Sequence, residues 1–274
     1  IRHIMGFSKP QSGETRVFGL ESFHNYYKIL ANVGYLPGEI ALPEGLTGWE
    51  FIKMMSDLRH VHNKDLLNSL LEKFELNPAG ETKKMSLGDK RKLAIVTAFM
   101  GDPDVLILDE PTSGLDPVMQ QVFIDFVKEE KKKGKTILLS SHMFNEVEAT
   151  CDNISIIKDG KIVSTFEASK IKHNENKNFE VVLSNKQSYQ KVLEAFPKGK
   201  KDTKVIKKVQ ILSSNPELLS VNIGANDKDV NELVDKLSEF NIKSFKENKF
   251  TLEDYFMQFY REDKDFGGTK WKKK

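Results

Sequence analysis

The feature that most constrains this sequence is an apolar run that ends in two adjacent carboxylates. Residues 105–108 read Val-Leu-Ile-Leu, which is long enough for a buried strand, and Asp109 and Glu110 follow at once. A carboxylate at the end of a buried strand is costly unless a cation or hydrogen-bond donors compensate it. The pattern therefore predicts a binding site at this strand end, and Mg²⁺ with a nucleotide is the obvious pair of ligands.

Further motifs follow in an order and spacing that resemble those of ABC-type ATPases. Asp109 and Glu110 resemble the Walker B aspartate and the catalytic glutamate after it. The segment Ser113 to Asp116 resembles the D-loop of that family, and His142, after the strand-like run 136–140, resembles its switch histidine. Upstream, residues 85–89 read Met-Ser-Leu-Gly-Asp where the family carries its Leu-Ser-Gly-Gly-Gln signature. The resemblance covers roughly the first two thirds of the chain.

The resemblance implies ATP hydrolysis with Mg²⁺ in a head-to-tail dimer, where each ATP lies between two subunits. Asp109 would hold Mg²⁺ through its water shell, as hard oxygen ligands do. Glu110 would polarise the attacking water, and His142 would contact the γ-phosphate.

The signature segment is expected to bind the ATP of the partner subunit. The resemblance assigns this role to the hydroxyl of Ser86 and the N–H of Gly88, and it places Asp116 among the nucleotide-binding residues. Leu87 replaces a glycine of the family pattern and Asp89 replaces its glutamine. The loop thereby gains bulk and a negative charge close to the phosphate.

Two other segments are expected near the same site. The three basic residues 90–92, which include Arg91, follow the signature and are expected to offset its added charge. Residues 31–39 resemble the Q-loop region, but Gly38 stands where the family usually has glutamine. The role of that glutamine is therefore vacant or passes to Glu39.

The fold expected from the pattern is α/β. Strands at 105–108, 136–140 and 154–157 alternate with helices, which predicts a largely parallel sheet, and the resemblance implies the P-loop NTPase (RecA-like) core. Helical spacing of apolar residues, such as Phe51, Met54, Met55 and Leu58, predicts a helical subdomain over about 45–99. Pro117 is expected to start a helix whose apolar stripe begins at Val118.

The rest of the chain is expected to form a separate small domain. Polar residues from about 171 to 178 predict a linker, and strand and helix patterns beyond it predict a small α+β domain. The predicted boundaries are 1–172 for the ATPase domain, 178–262 for the accessory domain and 263–274 for a basic tail.

The P-loop of the family has no counterpart in the sequence as written. The family carries that loop directly before the segment that resembles residues 1–14, and Ile1 to Phe7 looks like the middle of a helix. The one Gly-Lys-Thr triplet, 134–136, precedes a strand and is predicted to end a helix with its glycine. We therefore expect an N-terminally truncated chain that is inactive alone.

Charge and composition narrow the class of protein. The formal net charge is +2 with 30% charged residues, which does not indicate a nucleic-acid partner. No apolar run reaches the roughly 18 residues of a membrane span, and the single cysteine, Cys151, is expected in the core without a disulfide. These features and the resemblance predict a cytoplasmic protein, peripheral on the inner face of the plasma membrane.

The function that best fits these observations is the ATP-hydrolysing subunit of an ABC transporter of the bacterial drug-, peptide- and antibiotic-export type. Its expected partners are a separate transmembrane permease subunit and a second ATPase subunit, identical or different. Two alternatives stay open, a non-hydrolysing regulatory subunit and a soluble ABC ATPase of translation or DNA repair. The latter usually carries two cassettes or a long coiled coil, whereas this sequence has one signature and no sustained heptads.

Overall fold

A computed structural model describes residues 1–169, 176–199, 209–248 and 251–261. The chain divides into two compact units, Ile1–Cys151 and Asp152–Lys274. This division precedes the predicted linker, most of which lies outside the described residues, as does the predicted basic tail. The boundaries 1–172 and 178–262 stay a prediction.

The first unit alternates strands and helices. Its elements, in chain order, are β1 (Arg16–Val17), β2 (Leu20–Glu21), α1 (Tyr26–Asn32), β3 (Val33–Leu36), α2 (Gly48–Arg59), α3 (Lys64–Lys73), α4 (Leu87–Phe99), β4 (Val105–Asp109), α5 (Pro117–Lys132), β5 (Thr136–Ser140) and α6 (Phe144–Thr150). Strands β3, β4 and β5 form a parallel sheet in that order. This confirms the α/β fold and the parallel sheet expected from 105–108 and 136–140.

The helices of this unit begin and end where local chemistry dictates. Thr47 and Glu50 form a capping box at the start of α2, and Asp116 caps α5 with Pro117 in its first turn. Gly134 follows the last turn of α5 with a φ of +88°, as predicted for a glycine that ends a helix.

The core of the first unit packs α2 to α5 around β4. The rings of Phe74 and Phe99 lie 5.4 Å and 4.8 Å from the ring of Phe126, measured between centroids. The apolar stripes predicted on α2 and α5 each contain one residue that does not lie in the core. Leu58 is 69% exposed and Val118 is 68% exposed, because each lies at a helix end where its face turns from the core to solvent.

A buried ion cluster lies at the amino end of β5. Glu130 contacts Lys133 at 2.6 Å and Lys135 at 2.5 Å, and Lys135 also binds Asp102. The side chains of Glu130 and Lys135 are only 4% and 6% exposed, so each buried charge is compensated by a partner.

Residues 1–7 form a helical turn that closes at Gly6, so the segment that we expected inside a helix contains a helix end. The N–H of Phe7 donates to the Arg2 carbonyl at 2.9 Å and the N–H of Gly6 to the His3 carbonyl at 3.2 Å. With a φ of +71° at Gly6, this is the Schellman arrangement of a helix C-terminus.

The second unit begins with a hairpin, which corrects one prediction. β6 (Asn153–Lys158) pairs antiparallel with β7 (Lys161–Glu167), so residues 154–157 do not belong to the parallel sheet. The turn residues Asp159 and Gly160 have φ values of +50° and +74°. Asp-Gly is a strong hairpin signal because both turn positions favour a left-handed backbone.

The remainder of the second unit contains an antiparallel sheet and further helices. Its elements are β8 (Asn176–Leu183), α7 (Lys186–Ala195), β9 (Gln210–Asn215), β10 (Ser220–Asn226), α8 (Val230–Leu237), β11 (Ile242–Glu247) and α9 (Leu252–Arg261). The strand order is β11-β8-β10-β9. Val181, Val221 and Ile223 are buried against Val192 of α7 and Leu233 of α8. The predicted α+β domain is thus present.

Two smaller predictions concern membranes and cysteine. Within the part of the chain that the structure describes, no helix is long and apolar enough to cross a membrane. Cys151 forms no disulfide, but it lies half-buried just after α6 and not in the core.

Candidate functional site

The parallel sheet brings the predicted acidic residues to one edge. Asp109 ends β4 directly opposite Ser140, the last residue of β5, and the Ser140 hydroxyl donates to Asp109 Oδ1. Gly38, in the segment after β3, approaches from the other side, since a Cβ added there would lie 3.3 Å from Asp109 Oδ2. Ligands of open α/β sheets usually bind at this carboxyl edge.

Glu110 and His142 form the contact at the centre of this edge. Glu110 Oε2 lies 2.5 Å from His142 Nδ1, and the Glu110 N–H donates to the Ser140 carbonyl at 2.9 Å. A carboxylate on Nδ1 fixes the imidazole orientation and leaves Nε2 directed elsewhere. The His142 side chain is 74% exposed and the Glu110 side chain is 34% exposed, so both are open to a ligand.

The backbone of Glu110 is unusual for its residue type. Its φ is +46°, in the left-handed region that non-glycine residues seldom occupy. Backbone strain of this kind is concentrated at functional sites, where surrounding structure holds it in place. Here the turn at Glu110 directs the carboxylate towards the end of β5.

The oxygen donors at this edge fit a hard divalent cation. Asp109 offers a carboxylate beside the Ser140 hydroxyl, and Mg²⁺ is commonly bound by one or two carboxylates, several waters and substrate phosphates. No cluster of three or more acidic, histidine or cysteine side chains that could hold a metal occurs in the described ranges. The role of Asp109 towards Mg²⁺ stays a prediction.

The signature segment is built as a helix cap. The Ser86 hydroxyl donates to Asp89 Oδ2 at 2.7 Å and accepts from the Asp89 N–H at 3.1 Å, which caps the start of α4. Leu87 is 63% exposed and covers Gly114, where an added Cβ would lie 2.8 Å from Leu87 Cγ. Asp89 thus has a structural role that we did not foresee. The nucleotide role of Ser86 and of Gly88 stays a prediction.

Asp116 has an equally clear structural role. Its carboxylate accepts hydrogen bonds from the N–H groups of Met119 and Val118, both at 3.0 Å. These two donors lower the pKa of Asp116. The residue caps α5, and its contact with a nucleotide stays a prediction.

Arg91 is the site residue that sequence reasoning misplaced. It is 3% exposed, and its guanidinium donates to the carbonyls of Ser113 at 2.9 Å, Pro37 at 2.9 Å and Gly38 at 2.6 Å. It therefore does not offset the charge of Asp89 at the surface, as we expected. Arg91 joins the start of α4 to the loops after β3 and β4.

The electrostatics of Arg91 agree with this position. Burial lowers the pKa of the guanidinium, and the nearby negative charges of Asp109 and Glu110 raise it in part. The Lys-Arg-Lys run concealed the residue, since three adjacent basic residues suggest a solvated surface. A usable signal was its spacing from Ile95 and Ala98, which are buried on the same face of α4.

Comparison with known proteins points to one family. The sequence model described as "ABC transporter" matches residues 1–113. The chain is 30% identical over 271 residues to the uncharacterized ABC transporter ATP-binding protein sll0415 of Synechocystis, and the aligned region covers 96% of this chain and 71% of that protein. It is 34% identical over 192 residues to the bacitracin transport ATP-binding protein BcrA of Bacillus licheniformis, which covers 67% of this chain and 61% of that protein.

The fold agrees with these sequence relatives. A solved structure titled "Structure of ATP binding subunit of ABC transporter" matches with a TM-score of 0.58 and 28% identity, over 62% of this chain and 73% of that one. The match in sequence extends over more than two thirds of sll0415, and the motifs at the sheet edge occur in the order expected for these proteins. The chain belongs to the family of ABC transporter ATP-binding proteins.

Proposed function

We propose that this protein hydrolyses ATP to drive export through an ABC transporter. The observation that carries the proposal is the contact between Glu110 and His142 beside Asp109, at the carboxyl edge of a parallel sheet. Membership of the family supports ATP as the nucleotide. The name of the relative BcrA, a bacitracin transport protein, favours an exported antibiotic or peptide as the class of substrate.

The mechanism assigns a role to each of these side chains. Asp109 would hold Mg²⁺ through its water shell, and the ion would supply positive charge to neutralise the phosphates of ATP. Glu110 accepts a hydrogen bond from the attacking water and orients it as a general base. For this step Glu110 must release His142 Nδ1, and the exposed imidazole is then available to contact the γ-phosphate.

The second half of the site comes from another subunit. Ser86 and the N–H of Gly88 bind the γ-phosphate of the partner's ATP in a head-to-tail dimer, once the Ser86 hydroxyl turns away from Asp89. A separate transmembrane permease subunit receives the ATPase at the inner face of the plasma membrane. No nucleic acid takes part in this function.

The test uses the full-length protein, with any sequence that precedes Ile1, and compares wild type with Glu110→Gln. We expect wild type to release phosphate from MgATP, and the Gln variant to retain ATP in a dimer with little turnover, because the amide cannot act as a base. Phosphate release and size-exclusion chromatography measure the two effects.

Wild-type turnover by the Glu110→Gln variant would remove Glu110 from the mechanism. ATP binding without turnover by the wild-type protein would instead favour the non-hydrolysing regulatory subunit. Glu129→Gln is a matched control, because that acid lies on α5 away from the site with its side chain 55% exposed, where an ion pair such as that with Lys73 contributes little.

A further inference from the structure

Arg91 of α4 is a buried cation, and its side-chain hydrogen bonds to described residues all go to backbone carbonyls. Nε donates to Ser113 at 2.9 Å, Nη1 to Pro37 at 2.9 Å and Nη2 to Gly38 at 2.6 Å. A guanidinium is planar and rigid, so bonds from its three nitrogens fix the three oxygens relative to one another. Arg91 thereby ties the loop after β4 to the loop after β3.

Pro37 and Gly38 are the fixed side of this tie. They directly follow β3, whose last residue, Leu36, is fully buried and pairs with Leu108 of β4. An added Cβ at Gly38 would lie 3.3 Å from Asp109 Oδ2, so this segment also lies beside the end of β4. The parallel sheet therefore holds both carbonyls in place.

The other side of the tie is the turn that begins at Glu110. The Glu110 carbonyl accepts a hydrogen bond from the Ser113 N–H at 3.1 Å, and the Ser113 carbonyl accepts in turn from Arg91 Nε. This turn needs support from its surroundings, because Glu110 has a φ of +46°. Arg91 therefore supports the strained backbone of Glu110 through one intervening residue.

The position of the Glu110 carboxylate depends on that backbone. Its Oε2 atom lies 2.5 Å from His142 Nδ1, and the Glu110 N–H donates to the Ser140 carbonyl at 2.9 Å. A shift of the turn would carry the carboxylate away from the imidazole. Misplacement of a catalytic group by about 1 Å can lower a rate about a hundredfold. The path from Arg91 through Ser113 to Glu110 consists of hydrogen bonds throughout.

We propose that Arg91 is a positioning residue for Glu110, which it holds in place by anchoring the Ser113 carbonyl to the carbonyls of Pro37 and Gly38. The proposal rests on the proposed ATPase function, in which Glu110 orients the attacking water. Arg91 is only 3% exposed, so it acts through Glu110 and not on the nucleotide. Loss of its planar fork is therefore expected to slow the chemical step more than it weakens nucleotide binding.

The experiment compares Arg91→Lys and Arg59→Lys with wild type in the full-length protein. Lysine keeps the charge of Arg91 but cannot span three oxygens, so we expect kcat to fall about tenfold or more while the KM for MgATP stays within about threefold. Arg59 is a matched control, because its guanidinium also donates to a backbone carbonyl, that of Thr97 further along α4, at 3.3 Å. Arg59→Lys should keep the kcat of wild type.

The folded fraction separates positioning from a loss of stability. Arg91→Lys is also expected to be less stable, so kcat is measured at a temperature where circular dichroism shows each variant folded, and it is expressed per folded molecule. Should Arg91→Lys fail to fold, Arg91→Gln, which brings no buried ammonium, provides the same comparison with the same expected loss of kcat. A kcat of folded Arg91→Lys within about twofold of wild type would overturn the proposal, because the charge alone would then suffice.

A readout that needs no turnover keeps the proposal distinct from the ATPase assignment. The imidazole signals of His142, followed by NMR without nucleotide, report on the Glu110 carboxylate, which lies against Nδ1. Arg91→Lys should shift these signals towards those of Glu110→Gln, whereas Arg59→Lys should leave them in place. If wild type fails to hydrolyse ATP and Arg91→Lys still shows the shift, the proposed function is wrong and the positioning role stands. Unmoved His142 signals in Arg91→Lys would refute the positioning role.

Discussion

Replacing Arg91 tests how three loops of the site are held together. Its guanidinium donates to two carbonyls after β3, those of Pro37 and Gly38, and to the Ser113 carbonyl after β4. Arg91→Met keeps the length and apolar stem of the side chain but removes all donors. Arg91→Lys keeps the charge but replaces a planar fork by a single ammonium, which cannot span the three oxygens.

The expected magnitude follows from these contacts. A hydrogen bond from a charged donor contributes about 1.5–3 kcal/mol, which for three bonds gives an upper bound of roughly 4.5–9 kcal/mol. The residues that carry these carbonyls are partly exposed, so water can donate hydrogen bonds to them in the variant and offset part of the lost stability. We therefore expect Arg91→Met to lower the free energy of unfolding by about 3–5 kcal/mol, the range for a broken buried charge network, and Arg91→Lys by about half of that.

The assay combines denaturant unfolding with amide hydrogen exchange, since the chain has two compact units and a single transition is not assured. Exchange should accelerate in both variants at Ser113 and Leu115, whose N–H groups donate to the carbonyls of Glu110 and Thr112, while the sheet of the second unit keeps its protection. Stability of Arg91→Met within about 1 kcal/mol of wild type, with unchanged exchange at Ser113 and Leu115, would refute this account of Arg91.

Three shorter predictions follow from the site and the packing. His142→Ala should abolish hydrolysis but spare ATP binding, and unchanged turnover would remove His142 from the mechanism. The hydrogen bond from Lys135 lowers the pKa of Asp102 below its unfolded value, so Asp102 stabilises the fold above that value and loses this effect as pH falls through its folded pKa. The difference in unfolding free energy between wild type and Asp102→Asn should therefore shrink below about pH 4. Gly160→Ala, at a φ of +74°, should cost about 1 kcal/mol in thermal unfolding, and an unaltered melting temperature would contradict the turn geometry.

The sheet edge could be predicted because its signals are local. An apolar run followed by carboxylates fixes where β4 ends, and a second run with Ser141 and His142 fixes the end of β5. Parallel strands then place both ends at one edge, whatever the details of packing. The approach of Glu110 to His142 at one edge thus follows from pattern and topology, whereas the register that sets Asp109 opposite Ser140 required the structure.

The residues that sequence reasoning missed are those whose role depends on burial. Arg91 and Glu146 are charged residues with polar neighbours in the sequence, and only the tertiary packing shows that each is almost fully buried. The N-cap at Ser86, by contrast, has a local sequence signal, because serine is a preferred residue at a helix start, but the segment was interpreted only through its resemblance to a phosphate-binding signature. The hairpin at Asp159 and Gly160 was missed for a similar reason, because residues 154–157 fitted the alternation of strands and helices.

The position of β5 as an edge strand of its sheet has a consequence for the solubility of the protein. Among the described strands β5 pairs with β4 alone, and Leu138 on β5 is 43% exposed. An outer strand with open backbone donors and acceptors and an apolar side chain is a template for further strand pairing. A polypeptide of residues 1–274 is therefore prone to self-association through β5. A charged substitution at Leu138 is a direct way to improve its solubility.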